Sequence, residues 1–554
     1  MKLFRNILLL LLACVSLHLQ SQPRLVINGI IPAFDNETHT YLLSVDEQYQ
    51  DTPLSVPVSL SDGVVGQQLF IEGVAVTETY TFTKVGEDQK YAIEVVSASG
   101  STTYTLQFTF LPILTIRGGE VGYEYTPAQV DWQEESKLSE AMCANVKWRG
   151  GSTNIEGKHK RNYKLSFVDD EGQKQNRSFG DLRSDNSWVL DAGQVDMFRV
   201  RNLTMAQLWQ DFAHRPYYVN QEPKALSATR GRMVELFLDD QYRGIYSLCE
   251  PIDRKQMKLK KFDADGTIHG GLWKATAYGD ATFFNVPAEY DNTLPQNNVW
   301  EIKYPEVEDL CPTDYSTLRN AIMFVTTSSD EEFRATVADY FDLPVMVDYY
   351  LFTNVGNLFD ICGKNILWAV YDKQVDKKLT PAMWDLDCCM GQNYKDDPLR
   401  PDYVACNAEL LYVNNIFHRL MTLDVNHFNE AVLTRYHELR QTVFSVRSLQ
   451  QRYIDAYEEM RRSGALQREE RRWSGDSDIA GLNLNFAEEL DYIKQWIAQR
   501  MEFLDQSFAT MAIEELHPDY SAGGEERVWD LRGTIHHGKD GIRIQNGRKR
   551  IIHF

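Results

Sequence analysis

The chain is short of cysteine, of positive charge and of long apolar runs, and each shortage excludes a class of protein. Eight cysteines in 554 residues are too few for a disulfide-stapled scaffold. The 57 lysines and arginines are outnumbered by 79 acidic residues, and the resulting net charge of −22 disfavours general nucleic-acid binding, because it repels phosphates. What the chain does have, 43% hydrophobic and 12% aromatic residues, is ample for a large core and excludes disorder.

The first 22 residues have the layout of a secretory signal peptide. Lys2 and Arg5 precede an apolar stretch at 7–19, which is shorter than the roughly 20 residues of a membrane span. No later stretch approaches that length, so we expect an exported protein, periplasmic, surface-bound or secreted, with no transmembrane segment after the signal. Because Cys14 ends the sequence LLAC, lipidation and attachment to the cell envelope stay open as the alternative to simple cleavage near residue 22.

The sequence pattern changes along the chain. Seven short β-rich runs in the first 110 residues predict an immunoglobulin-like sandwich, and a mostly β segment with one helix follows. Residues 275–312 have the Asn, Asp and Pro content of an insertion, and from Pro312 the apolar period becomes helical. We therefore predict an α+β multidomain protein with a signal peptide (1–22), a β-sandwich (23–110), a two-lobed domain with a helical C-lobe (111–510) and a β-rich tail (511–554).

A small-residue turn followed by a basic segment is the first candidate site. Arg149 and Ser152 belong to WRGGST, where exposed backbone N–H groups after a strand can cradle an anion. Lys160, in HKRNYKLSF, could place a point charge on a phosphate. No Walker A or GxGxxG pattern is present, and a solvated hairpin carrying basic residues also explains the segment.

Two aspartates and an asparagine form the second candidate site. Asp360, Asn365 five residues later, and Asp385 of WDLD are arranged like a kinase site, where one carboxylate orients the acceptor hydroxyl and the others hold Mg²⁺. Oxygen ligands of this kind suit Mg²⁺. Asp385 and Asp387 alternate with Leu386, so on a strand they would share one face. Acidic loops are also common, and Asp385 could instead cap a turn.

A hairpin is the third candidate element. Two apolar strands joined by Asp-Asp-Gln span residues 235–250, and Glu250 ends the second strand. Glu250 could point into a cleft, or the whole segment could be a core hairpin.

Taken together, these segments resemble the spore-coat protein H (CotH) kinase family. In chain order they are LPILTI, WRGGS, HKRNYKLSF, WVLDAGQVDMFRVRN, VELFLDDQYRGIYSLCEPID, DICGKNILWAVYD, AMWDLD and WIAQRMEFLD. The resemblance covers about residues 111–510. It implies an atypical protein-kinase fold that transfers the γ-phosphoryl group of ATP to Ser or Thr of a protein substrate, with Mg²⁺ or Mn²⁺.

The resemblance also implies a role for each matching position. The catalytic residue is Asp360, the metal ligands are Asn365 and Asp385, and the nucleotide-binding residues are Lys160, Arg149, Ser152, Asn202 and Glu250. Gly151 stands where the family usually has Asn, and Arg161 where it often has a second Lys. These departures leave phosphate binding open but weaken the expectation of full activity.

Two other classes of function stay open. The signal and the sandwich also fit a catalytically inactive surface or adhesion protein, since ATP is scarce outside the cytoplasm. An exported acidic protein rich in aromatics could be a carbohydrate hydrolase, although no carboxylate pair indicates one. Convergence of Asp360, Asn365 and Asp385 with Lys160 facing them would favour the kinase, whereas a cleft plugged by Phe359 or Trp384 would favour the inactive protein.

Overall fold

The computed structural model describes residues 24–61, 66–98, 100–139, 141–392, 410–516, 540–545 and 548–553. The predicted signal peptide and Cys14 lie outside the described residues, as do residues 517–539 of the predicted tail. Residues 511–516, predicted to begin the β-rich tail, are helical instead, and the described remainder of the tail forms two antiparallel strands, β23 (Asp540–Gln545) and β24 (Arg548–His553). Within the described ranges, every helix is too short or too polar to cross a membrane.

The first nine strands form the predicted β-sandwich. A three-stranded sheet, in the order β1-β4-β7, packs on a six-stranded sheet, in the order β2-β3-β9-β8-β5-β6. Strand β4 buries every second side chain over its first six residues, the period expected for one face on a core. The bounds are β1 (Arg24–Ile27), β2 (Ala33–Asp35), β3 (Thr40–Ser44), β4 (Leu54–Ser61), β5 (Gln68–Ile71), β6 (Val74–Val76), β7 (Thr79–Phe82), β8 (Lys90–Ser97) and β9 (Gly100–Thr109).

The next eight strands form one sheet, and seven of them close into a barrel. Their order is β10-β16-β17-β15-β14-β13-β11-β12, and β10 pairs with β11 as well as with β16, which closes the sheet. Apolar side chains from these strands fill the barrel and form a core of their own. The bounds are β10 (Ile113–Arg117), β11 (Thr126–Glu134), β12 (Lys137–Leu138), β13 (Met142–Arg149), β14 (Asn162–Val168), β15 (Ser187–Asp191), β16 (Gly231–Leu238) and β17 (Gln241–Cys249).

A five-stranded sheet packed among helices follows the barrel. Its order is β19-β20-β18-β21-β22, and the bounds are β18 (Gly271–Ala275), β19 (Gln296–Asn297), β20 (Trp300–Tyr304), β21 (Ile366–Val370) and β22 (Thr380–Met383). The segment 275–312 is therefore more than the predicted insertion, because it supplies two strands of this sheet. The predicted hairpin at 235–250 is confirmed as β16–β17, and β21 and β22 form a second hairpin.

The helices are concentrated in the C-terminal half, as predicted. They are α1 (Arg201–Phe212), α2 (Arg254–Met257), α3 (Ser316–Thr327), α4 (Asp330–Tyr340), α5 (Leu343–Gly356), α6 (Leu410–Val413), α7 (Asn415–Thr422), α8 (Phe428–Arg440), α9 (Val446–Arg462), α10 (Ala465–Trp473) and α11 (Phe486–Leu516). Helix α5 is buried almost throughout, starts with Pro344 in its first turn and ends on Asn357 in a left-handed conformation. This end delivers the chain to Asp360.

The sandwich packs directly on the barrel and on α10. An apolar cluster crosses the boundary; its members are Ala33 and Leu42 of the sandwich and Ile113, Phe237 and Tyr242 of the barrel. At the rim, the guanidinium of Arg471 donates to both carboxylate oxygens of Asp88 at 2.8 and 2.9 Å. The two units therefore share buried apolar surface as well as a polar rim.

Candidate active site

Three polar side chains from two loops meet beside the five-stranded sheet. Asp360 lies in a single-turn 3-10 helix just after α5, Asn365 directly precedes β21, and Asp385 follows β22. The Nδ2 atom of Asn365 donates to Oδ2 of Asp360 at 2.7 Å and to Oδ2 of Asp385 at 2.9 Å. The structure thus brings these three predicted site residues together, and one amide joins both carboxylates.

The backbone at two of these residues is left-handed. Asn365 has a φ of 58° and Asp385 a φ of 64°. Asn and Asp tolerate this conformation best among residues other than glycine, and such positions are frequent at functional sites. Strand β22 ends at Met383, so the prediction that Asp385 and Asp387 share a strand face is wrong: the chain has already turned there.

A third carboxylate reaches the same place from the barrel. Asp191 ends β15 and accepts a hydrogen bond from Nδ2 of Asn202, in the first turn of α1, at 2.7 Å. The Oδ1 atom of Asn202 in turn accepts from the backbone N–H of Leu386 at 3.0 Å. Asn202 therefore joins the barrel to the loop of Asp385. Asp191 was not among the predicted site residues, and its only sequence signal is its place at the end of the strand in WVLD.

The collected negative charge is partly buried, with Asp360 buried and Asp191, Asp385 and Asp387 half-buried. Burial raises the pKa of Asp385, and the neighbouring carboxylates of Asp191 and Asp360 raise it further, against the opposing effect of Lys274. Burial and the charge of Asp385 raise the pKa of Asp387 well above its usual range. Carboxylates held this closely in a partly buried place favour a bound cation, and their hard oxygens suit Mg²⁺ or Mn²⁺.

A cleft of about 800 Å³ opens beside this acidic group, between the barrel and the five-stranded sheet. Cations dominate its charged lining although the chain as a whole is strongly acidic; they are Arg149, Lys164, Lys174, Arg254, Lys255, Lys261, Lys274 and Lys303, against Asp185, Asp253, Glu306 and Asp309. Val189, Ile252 and Leu367 add apolar surface. Such a lining can hold an anion that carries an apolar group.

Arg149 is the nucleotide-binding candidate that lies in this cleft. It ends β13, and its guanidinium carbon lies 5.1 Å from the centroid of the Trp384 ring, within the range of a cation–π contact. Ser152 follows it in a single-turn 3-10 helix, Ser152–Asn154. The backbone at Gly150 has a φ of 106°, a conformation that only glycine adopts readily, and it sets this turn.

Glu250 lies beside the cleft, and its hydrogen-bond partner lies outside the acidic group. Its side chain is buried, and Oε1 accepts from the backbone N–H of Arg183 at 2.7 Å. The guanidinium of Arg230 lies 3.9 Å from the same oxygen. Glu250 thus anchors the segment 251–255, which forms part of the cleft wall.

The structure does not bring Lys160 to the acidic group. Its ammonium nitrogen is buried, and it donates to the backbone oxygen of Ile245 at 2.7 Å and to Oε1 of Glu469 at 2.9 Å. Glu469, on α10, also accepts from Nε of Arg199 at 2.7 Å, so two cations share one carboxylate. Burial lowers the pKa of Lys160 to about 7.

A second group near Lys160 has ligand types that metals use. His159, Asp476 and Asp478 each offer a ligand atom, and these atoms lie within 4.8 Å of one another. The carboxylates are already engaged by protein donors: Asp476 bonds the ring of His159 at 2.8 Å, and Asp478 accepts from the backbone of His159 and Lys160. The ammonium of Lys158 lies 3.8 Å from Asp478 and opposes a further cation there.

Neither aromatic residue considered as a plug closes the cleft. Trp384 is half-buried and forms part of the cleft wall. Phe359 packs against the main hydrophobic core, and its backbone oxygen accepts from the hydroxyl of Tyr278 at 2.6 Å. The geometry therefore has one feature predicted for the kinase, the convergence of Asp360 with Asn365 and Asp385. It lacks the other, because Lys160 does not face these residues.

Comparison with known proteins identifies the family. The model of the CotH kinase protein family matches residues 146–504, well over half of the chain, and the chain belongs to this family. A cadherin-like β-sandwich domain model matches residues 16–109, in agreement with the sandwich described above. No curated protein matches. Two solved titin structures are similar to part of the chain. A chimeric titin Z1Z2-Z1Z2 tandem functionalised with a fibronectin peptide is 10% identical, covers 24% of this chain and 89% of its own, and has a TM-score of 0.09. The titin immunoglobulin tandem A164-A165 is 12% identical, covers 27% of this chain and 92% of its own, and also has a TM-score of 0.09.

Proposed function

We propose that this protein is an exported CotH-like atypical protein kinase that transfers the γ-phosphoryl group of ATP to Ser or Thr hydroxyls of surface or secreted proteins. The observation that carries the proposal is the meeting of Asp191, Asp360, Asn365 and Asp385 beside a cleft lined by cations. Family membership supports a kinase of this type and the use of ATP with a divalent metal. The sandwich supports a place outside the cell.

The residues present fit the group that the family implies. Asp385, Asp191 and the amide oxygen of Asn365 are hard oxygen donors of the kind that hold Mg²⁺ or Mn²⁺ on a nucleotide. Bound there, the metal would supply charge neutralisation on the phosphates. The backbone N–H of Asn365 donates to the carbonyl of Ala275 at 2.9 Å, which fixes the amide relative to the sheet.

Asp360 is the residue that we assign to the acceptor hydroxyl. One of its oxygens accepts from Asn365, and the other lies 2.9 Å from the ammonium of Lys364. Held between these donors, the carboxylate orients the incoming hydroxyl and accepts its proton as the oxygen attacks phosphorus. Phosphoryl transfer requires positioning of this kind from the protein rather than covalent chemistry.

Arg149 supplies positive charge for the phosphates. Asn202 links the barrel to the loop that follows β22. Arg149 lies over Trp384 at the inner part of the cleft. Asn202 bonds Asp191 of the barrel and the backbone of Leu386, and so sets the distance between the carboxylates of the two lobes. In this proposal Asn202 and Glu250 act on the nucleotide through the wall that they position.

The experiment is a thermal-shift titration of the full-length protein with ATP in Mg²⁺, in Mn²⁺ and in excess chelator. Binding raises the stability by about RT ln(1 + [L]/Kd), so the midpoint should rise with ATP only when metal is present. Transfer of label from γ-labelled ATP to a Ser/Thr-rich protein mixture or to the chain itself is the second readout. No shift in either metal together with no transfer would contradict the proposal and favour an inactive surface protein.

A further inference from the structure

Trp384 holds two cations that come from opposite sides of the cleft. The guanidinium of Arg149, from the barrel, lies 5.1 Å from the ring centroid. The ammonium of Lys274, from β18 of the five-stranded sheet, lies 5.9 Å from the same centroid. Both distances are within reach of a cation–π contact, so one ring positions both charges.

Neither cation has a carboxylate partner in the described part of the chain. Among the described residues, Asp385 is the acid with the largest electrostatic effect on both cations, but it lies beyond the 4 Å of an ion pair. Glu301 faces Lys274 across β18 and β20, but its carboxylate is paired with Lys303. Burial lowers the pKa of Lys274 and of Arg149, and the charge of Asp385 opposes this shift only in part. An anionic ligand would supply that partner.

Three other lysines near the site are already paired. Lys160 is bonded to Ile245 and Glu469, Lys255 lies 2.6 Å from Asp185, and Lys303 is paired with Glu301. Lys274 forms neither a hydrogen bond nor an ion pair within 4 Å among the described residues; its head lies over the face of Trp384, which leaves its N–H donors for a ligand.

Lys274 also has a fixed position relative to the acidic group. Strand β18 pairs with β21, with Lys274 opposite Leu367, and the N–H of Asn365 bonds the carbonyl of Ala275, the residue after Lys274. Trp384 immediately precedes Asp385. The lysine, its aromatic support and the proposed metal ligands therefore belong to one hydrogen-bonded sheet and its loops.

We infer that Lys274, held with Arg149 over Trp384, is the lysine that contacts the nucleotide phosphates, and that Trp384 is the residue that positions it. The inference rests on the proposed function, and it gives Lys274 the role that the family resemblance implied for Lys160. It places the phosphate lysine on the same sheet as Asn365 and the hairpin before Asp385, while Arg149 approaches from the barrel.

The first test is the substitution Lys274→Met in the full-length protein, measured by calorimetry with MgATP and with magnesium tripolyphosphate. Loss of one charged contact to phosphate should weaken both ligands by roughly 10- to 100-fold. The matched control is Lys224→Met, an exposed lysine that does not line the cleft, for which we expect less than about a threefold change. Lys160→Met should likewise leave binding unchanged.

The second test separates the aromatic ring from its bulk. Trp384→Phe keeps a ring face, and Trp384→Leu removes it, so KM for ATP should rise roughly tenfold in the leucine variant and little in the phenylalanine variant. A merely structural role would not follow the ring in this way. If Lys274→Met fails to fold, the two Trp384 variants become the test of the inference. Equal KM values for ATP in Trp384→Phe and Trp384→Leu would overturn it.

The outcomes separate the inference from the proposed function. If the wild-type protein binds no MgATP, the proposed function itself fails. If the wild type binds and Lys274→Met binds equally well, the function stands and the inference is overturned. A folded Lys160→Met protein that loses binding would return the phosphate role to Lys160.

Discussion

The side-chain amide of Asn365 donates to the carboxylate of Asp385 at 2.9 Å, although the two residues are 20 positions apart. Both residues have left-handed backbones, which cost free energy unless the surroundings hold them. The hydrogen bond is therefore part of what fixes two strained turns in one place. The same amide nitrogen also donates to Asp360. A substitution at Asp385 therefore leaves the bond between Asn365 and Asp360 in place, and its effect on nucleotide binding can be measured in an otherwise intact site.

Asp385→Asn should abolish metal-dependent nucleotide binding with little loss of fold. Asn keeps the shape and tolerates the φ of 64°, but it removes one negative charge from the proposed metal ligands. We expect MgATP and MnATP affinity to fall by at least about tenfold. Calorimetry measures the affinity, and circular dichroism checks the fold.

The matched control for this substitution is Asp376→Asn, in the turn of the same β21–β22 hairpin. Asp376 accepts a hydrogen bond from the backbone N–H of Lys378 and lies away from the acidic group. The control should bind nucleotide like the wild type. Equal binding by Asp385→Asn and wild type would remove Asp385 from the metal site and leave it the role of a turn residue.

Asp360→Asn should separate binding from transfer. The amide can no longer accept the proton of the acceptor hydroxyl, so the rate of label transfer should fall by roughly 10²- to 10⁴-fold. One side-chain oxygen remains for the bond from Asn365, so MgATP affinity should change by less than about fivefold. Single-turnover transfer from γ-labelled ATP and calorimetry give the two numbers.

Asp309→Asn, on the wall of the same cleft, is the control for Asp360→Asn. It should change neither quantity by more than a few-fold. Transfer that survives in Asp360→Asn at the wild-type rate would show that another group serves the acceptor hydroxyl, and it would leave the metal ligands untouched.

Local pattern was enough to predict the β16–β17 hairpin and the group around Asp360. Asn365 follows Asp360 by five residues, and Asp385 ends the hairpin that begins at Asn365, so short connections bring them together. Barrel closure was not predicted, because β10 pairs in parallel with β16 across a long stretch of chain, and no local signal specifies that pairing. Asp191 reaches the site only through this topology.

Motif spacing was not enough to predict which way the side chain of Lys160 points. The motif indicates a strand, but β14 begins at Asn162, so Lys160 lies before it and turns toward α10. Along β14, Tyr163 is buried in the barrel while Lys164 faces the cleft. Which face a residue near a strand end takes depends on where pairing begins, and sequence sets that boundary only to within a few residues.

Glu469→Gln and Lys160→Met should differ sharply in stability. Glu469 is the carboxylate that Lys160 and Arg199 share, and it also accepts from the N–H of Ile245. Its neutralisation leaves two buried cations without an anion, and we expect a loss of about 3–5 kcal/mol. Lys160→Met leaves Glu469 paired with Arg199 and should cost less than about 1.5 kcal/mol. Urea unfolding measures both, and equal losses would contradict the shared-carboxylate interpretation.

The pH dependence of stability should reveal the buried Lys160. Burial lowers its pKa to about 7, from an ordinary 10.5, so between these values the folded chain binds fewer protons than the unfolded one. The lysine's contribution to the free energy of unfolding therefore rises with pH across this window, by up to about 1.4 kcal/mol per unit. Urea unfolding of wild type and Lys160→Met at pH 7, 8 and 9 isolates it. A difference between the two proteins that stays constant from pH 7 to pH 9 would mean that Glu469 keeps the lysine charged in the folded chain.

The apolar boundary between sandwich and barrel should couple their stabilities. Leu42 of the sandwich is buried against Ile113 and Phe237, so Leu42→Ala should cost about 2–5 kcal/mol. The first of the 11 tryptophans is Trp132, so tryptophan fluorescence follows unfolding of the kinase-like part and not of the sandwich. We expect Leu42→Ala to lower the urea midpoint seen by tryptophan, whereas Arg471→Ala, at the exposed rim, should cost less than about 1 kcal/mol. An unchanged tryptophan midpoint in Leu42→Ala, with a lowered midpoint for the sandwich by circular dichroism, would show that the two units unfold independently.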